Sequence, residues 1–186
     1  MTKKPNLIII PGIGDRGWQF VGFKPIWMLY GFNVYIHVFG WENQESYTTS
    51  TDKLLKLIDS LDKDVYIIGA SAGGTSAINA LYLRPNKIAR IATISTPYRK
   101  FTNTNIQKLN QSVIKVQENL KNPSDLKRRI LSVYGKTDKI VPPKETKTKG
   151  VNNHQINTNG HAISIFTALS FRSKIIKDFL LNGCQQ

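Results

Sequence analysis

Residues 65–76 (VYIIGASAGGTS) constrain this chain more than any other stretch. A short run of β-branched and aromatic residues leads into Gly-Ala-Ser-Ala-Gly, and small, helix-compatible residues follow at once. Such a stretch reads as strand, sharp turn and helix, with Ser71 at the turn. Gly69 and Gly73 have a steric role in that reading, because a bulkier residue two positions to either side of the serine would collide with the neighbouring strand and helix. A serine held this way points its hydroxyl out of the fold, at the amino end of a helix whose N–H groups favour a developing negative charge. A hydroxyl at neutral pH is a poor nucleophile and needs a base. Ser71 therefore needs partners from elsewhere in the chain.

Apolar runs and helical stripes alternate along the sequence. Residues 7–10, 33–39, 65–68, 88–95 and 130–134 read as strands, and 154–156 as a short, weak one. Residues 18–30 are aromatic-rich and helical in part. Residues 46–61 place Leu54, Leu57, Ile58 and Leu61 on one helical face. Residues 72–83 form the helix behind the serine, stopped by Pro85. Ile106, Leu109, Val113, Val116 and Leu120 mark another helix, and residues 162–181 a last one with Ile165, Phe166, Leu169, Ile176 and Phe179 buried. Strands alternating with amphipathic helices imply a mostly parallel sheet covered on both faces. In such sheets the reactive groups gather in loops at the carboxyl ends of the strands.

No repeat, low-complexity tract or linker divides the 186 residues, which are expected to form a single domain, 1–186, large enough to bury a core without staples. The single cysteine, Cys184, excludes an internal disulfide and a cysteine-based metal site. A reducing, cytoplasmic setting is the expectation. The apolar run at residues 7–10 is too short for a signal sequence, and no stretch approaches the ~20 apolar residues of a membrane span. The net charge is +14, from 26 basic against 12 acidic residues. Nucleic acid or an acidic lipid surface would be attracted to it. The basic residues are scattered, however, with no block of like charge, so a solvated surface is the expected account of them.

The base for Ser71 should be an imidazole, with a carboxylate behind it to fix its tautomer. Asp138 and His161 follow Ser71 in the order serine, acid, histidine, and all three fall just after strands. His37 lies within an apolar strand and reads as a core histidine, and His154 begins the weak strand and reads as surface. Asp125 and Asp178 read as surface charges, Asp15 and Arg16 as a solvated loop pair, and Cys184 as inert.

Gly69-Ala70-Ser71-Ala72-Gly73, the acid loop at residues 134–142 (YGKTDKIVP) and Asn159-Gly160-His161 together resemble a small member of the α/β-hydrolase superfamily, of serine esterase or lipase type. The resemblance covers the chain from Leu7 to the final helix. It implies a three-layer α/β/α sandwich with a mostly parallel sheet of about six strands. It also implies an oxyanion hole from the backbone N–H of Ala72 and of Ile13, with Gly14 as the alternative second donor, although Pro11 stands where that loop commonly has histidine. Residues 96–129 hold room for one helix, so a lidless site without a cap domain is expected. Ile13, Trp18, Trp41, Tyr98 and Val141 are its expected walls, for binding a small acyl substrate. No metal or organic cofactor is implied. The expected activity is hydrolysis of carboxylic esters or thioesters through an acyl-enzyme on Ser71. The alternative is a non-catalytic binding protein on the same fold with a basic surface.

Overall fold

In the computed structural model, residues 4–14, 17–62, 64–99, 106–121 and 124–183 are described. Asp15, Arg16 and Cys184, singled out above, lie outside them. The apolar runs become strands: β1 (Asn6–Ile10), β2 (Asn33–Ile36), β3 (Val65–Ala70), β4 (Ile88–Ile94), β5 (Ile130–Thr137) and β6 (Asn152–Asn159). They form one sheet in the order β2-β1-β3-β4-β5-β6, and every neighbouring pair is parallel. Along β1 every residue is buried, as a central parallel strand covered on both faces requires.

Helices cover both faces, giving three layers. Side chains alternate along each strand, so Ile8 and Ile10 join one core and Leu7 and Ile9 the other. The first core is closed by α3 (Tyr47–Ser60), α4 (Ala72–Leu83) and α5 (Gln107–Lys121), through residues such as Leu54, Ile78 and Val116. The second is closed by α1 (Trp18–Val21), α2 (Lys24–Leu29), α7 (His161–Leu169) and α8 (Ser173–Asn182), through Phe20, Trp27, Leu169 and Ile176. A 3-10 turn (Asp125–Arg129) and the short α6 (Pro143–Thr146) flank β5. The helix between β4 and β5, α5, packs on α3 and α4 as part of the layer and makes no cap.

Three boundaries differ from the sequence reading. β2 stops at Ile36 because β1, its partner, ends at Ile10 before a proline; the last contact is His37 N–H to Ile9 C=O at 3.0 Å. β6 runs from Asn152 to Asn159, beyond the expected 154–156, since an edge strand is held by backbone pairing to β5 and needs only Ile156 in the core. The expected last helix is two. At Ser170 the backbone leaves helical values (φ −116°, ψ −87°), and the Ser170 hydroxyl donates to the Phe166 carbonyl at 2.6 Å. Phe166, expected in the buried stripe, is 51% exposed.

Strand register brings the ends of the central strands level. Ile10 lies opposite Gly69, and Ala70 opposite Ile94. The loop after β1, Ser71 and Ser95 therefore emerge side by side at the carboxyl edge of the sheet.

Candidate active site

Ser71 joins β3 to α4 with φ 51° and ψ −124°, a conformation that costs an L-residue energy and needs support from its surroundings. That support is visible. The Ser71 N–H donates to the Ile94 carbonyl at 2.8 Å, and the Ser71 carbonyl accepts from Gly74 N–H at 3.0 Å. A Cβ on Gly69 would strike the backbone of Gly73 and Gly74, and one on Gly73 would strike the carbonyls of Ile10 and Pro11. The missing side chains thus let the first turn of α4 press onto the end of β1. This close approach brings the first turn of α4 against Pro11, where the loop after β1 begins.

Asp138 follows β5 directly and is almost entirely buried. Its Oδ1 accepts N–H bonds from Ile140 (2.8 Å) and Val141 (2.9 Å), which close a tight turn around the carboxylate. Its Oδ2 lies 2.7 Å from His161 Nδ1, and His161 Nε2 lies 2.9 Å from Ser71 Oγ. His161 opens α7 after Gly160, whose φ of 102° suits glycine. Gly160 N–H donates to the Thr137 carbonyl at 2.7 Å, tying the histidine loop to the strand that carries the acid. Burial pushes the Asp138 carboxyl up. The His161 hydrogen bond, the Val141 and Ile140 N–H groups and the His161 charge together outweigh it, and the pKa lies below its ordinary value. An ionised Asp138 accepts a hydrogen bond from Nδ1–H, which leaves Nε2 unprotonated to accept from the serine.

No protein-family model matches this sequence, and no curated protein does either. The folded chain does have counterparts among solved structures. It superposes on the monoacylglycerol lipase of Paleococcus ferrophilus with a TM-score of 0.71 over 95% of each chain, at 17% identity. On the pyrethroid hydrolase PytH the TM-score is also 0.71, over 98% of this chain and 99% of that one, at 13% identity. The thioesterase domain from the curacin biosynthetic pathway gives 0.66 over 94% and 92%, at 15% identity. This chain has the α/β-hydrolase fold.

On that α/β-hydrolase frame the remaining expected residues fall in different places. Ala72 begins α4 and is buried, while Ile13 is half-buried and packs against the first core. Trp18 is 69% exposed on α1. Val141 turns its side chain inward and gives its N–H to Asp138. Trp41 is buried with its ring 4.5 Å from Phe39 and its Nε1 donating to the Pro11 carbonyl at 3.5 Å. Tyr98 is buried with its hydroxyl 2.6 Å from Thr93 Oγ1, and burial above all pushes its pKa up to about 12. Little of either ring is left to meet a ligand. His37 is half-buried, and burial, with Lys53 second, pushes its pKa down. His154 is half-buried in β6.

The sequence reading missed a polar network behind the Ser71 turn. Thr75 Oγ1 donates to the Ala72 carbonyl at 2.7 Å and shares a 2.7 Å bond with Ser112 Oγ on α5. Asn79 Nδ2 donates to the Tyr47 hydroxyl (2.9 Å) and the Ser112 carbonyl (3.0 Å), and Asn79 Oδ1 accepts from Asn119 at 3.0 Å. The signal was present, for Thr75 and Asn79 are polar residues on the buried side of a helix made otherwise of small and apolar ones. Ser95 was missed too. It is fully buried at the end of β4, with φ 48°, and among non-glycine residues described it shares positive φ only with Ser71. Among the described residues no group of three or more His, Cys, Asp or Glu could hold a metal ion, and no helix is long and apolar enough to cross a membrane.

Proposed function

We propose that this protein is a serine hydrolase that cleaves carboxylic esters, or thioesters, by acyl transfer through Ser71. The observation that carries the proposal is the unbroken hydrogen-bond chain from Ser71 Oγ through both nitrogens of His161 to Asp138. Ser71 Oγ attacks the acyl carbonyl carbon while His161 Nε2 takes the hydroxyl proton. Asp138 holds Nδ1–H and stabilises the imidazolium that results. The oxygen of the tetrahedral intermediate is held by the backbone N–H groups of Ala72 and Ile13, an assignment supported by the close approach of Gly73 to the Ile10 and Pro11 carbonyls. Collapse of the intermediate breaks the bond to the alcohol or thiol, which leaves with the proton from Nε2. Water then attacks the acyl-enzyme, gives a proton to Nε2, and releases the acid and free Ser71.

The structural neighbours include a monoacylglycerol lipase and a thioesterase domain, which supports an acyl substrate bonded through oxygen or sulfur. Hydrolysis of p-nitrophenyl esters of increasing chain length tests the reading. The folded protein is expected to hydrolyse the short members, and Ser71→Ala to reduce the rate to that of buffer. Equal rates for the two proteins would remove Ser71 from the mechanism.

A further inference from the structure

Several of the largest exposed apolar side chains gather on the segments that build the Ser71–His161 site. Ile163 (59% exposed) and Phe166 (51%) lie one turn apart on α7, the helix that His161 opens. Phe171, 80% exposed, stands in the turn that follows. Phe166 meets Phe171 at 5.9 Å and Phe23 at 5.6 Å between ring centroids, and Phe23 meets Phe20 at 5.9 Å, each edge to face. The chain of rings ends at Phe20, which is buried in α1, and the same helix exposes Trp18 (69%) and Val21 (51%) one turn apart.

A cluster of exposed apolar side chains such as Ile163, Phe166 and Phe171 marks a place where a protein meets something else. Charge decides what. Exposed Lys136 and Lys139 flank Asp138, Lys24 adjoins Phe23, and exposed Arg172 adjoins Phe171. Across residues 18–29, 136–141 and 161–182 the only acids are Asp138, bonded inside the site, and Asp178, held by Lys174 and Lys177 at 2.6 Å each. Exposed Glu42 and half-buried Glu45, which pairs with Lys53, belong to the segment between β2 and α3, whose Trp41 packs in the opposite layer. A second copy would bring its own +14 to such a contact and be repelled. Aromatic and aliphatic groups fringed by lysine and arginine suit a lipid–water boundary with negative headgroups. We infer that this face docks on a bilayer containing anionic phospholipid and seats the Ser71 site at its surface. The scattered charge alone was compatible with an acidic lipid surface but pointed to a solvated one; the exposed apolar side chains shift that balance.

Such docking does not require Ser71 to be a nucleophile, so Ser71→Ala is expected to bind as the parent does, whatever becomes of ester hydrolysis. The test is co-sedimentation of the full chain with vesicles of phosphatidylcholine, with and without phosphatidylglycerol. Binding is expected to the anionic vesicles alone and to weaken as salt is added. The double variant Phe166→Ser, Phe171→Ser changes exposed positions, and with an unchanged melting temperature it should bind at least about tenfold more weakly. Absence of vesicle binding, equal binding to neutral vesicles, or parent-like binding by the double variant would overturn the inference. So would a dimer in sedimentation equilibrium that the double variant abolishes, because the patch would then be a contact between copies.

Discussion

Burial alone raises the pKa of a carboxyl group, yet Asp138 lies below its ordinary 3.8 because His161 and two backbone N–H groups favour the ionised form. A folded-state pKa below the unfolded one means that ionised Asp138 contributes stability above pH 3.8, lost as pH falls through the folded value. Asp138→Asn keeps the shape but presents an amide to Nδ1 and favours the wrong tautomer of His161. With the proposed mechanism kcat should fall about 10⁴-fold while the protein stays folded, which steady-state kinetics and circular dichroism would show. His37 works in the other direction of charge. Burial, then Lys53, lowers its pKa from 6.5, so the fold prefers the neutral ring. Its stabilising effect is complete above pH 6.5 and is lost as pH drops through the lowered folded value. His37→Asn should therefore flatten the loss of urea midpoint on acidification from about pH 7 to about pH 5. At this scale the sequence showed Ser71, Asp138 and His161, because turn chemistry and chain order are local. The inward turn of Trp41 and Tyr98 was not legible, since it depends on Phe39, Pro11 and Thr93 meeting them from elsewhere in the chain.

The first turn of α4 carries the site's most exacting packing. Gly73→Ala would drive a methyl group into the Ile10 and Pro11 carbonyls, and the unfolding free energy should drop by about 3 kcal/mol. Thr75→Val, close in shape, leaves the Ala72 carbonyl and Ser112 Oγ without the Thr75 hydroxyl and should cost about 2 kcal/mol. Thr75→Ser keeps the hydroxyl and should recover most of that, as chemical denaturation of the pair would reveal. Elements with strong local patterns were readable: the apolar run of β1, the stripe of α5, the turn at Ser71. β6 was underread because its stability comes from pairing with β5 and not from its own polar side chains. The break between α7 and α8 has no proline or glycine to announce it. Its apolar period resumes beyond Ser170 and Arg172, and residues of both helices pack into the same core, so the pattern reads as one helix.

At the scale of the whole molecule, three layers form because each buried strand alternates its side chains between two helical layers, a pattern plain in the sequence. The net charge of +14 opposes compactness by self-repulsion. Raising sodium chloride from about 0.01 to about 0.15 M shortens the screening length from about 30 to about 8 Å, so the melting temperature should rise over that range. What the charge is for was not legible, because scattered lysines point to a partner only in combination with a surface such as the exposed Phe166 and Phe171 on which the inferred docking rests. Among the described residues no element caps the Ser71 edge, so a small electrophile should reach the hydroxyl. Intact-mass spectrometry after incubation with a fluorophosphonate tests the central claim most directly. One adduct is predicted, mapped to Ser71, absent in Ser71→Ala and slow to form in Asp138→Asn. A folded protein that takes no adduct, or takes it at another residue, would contradict the account.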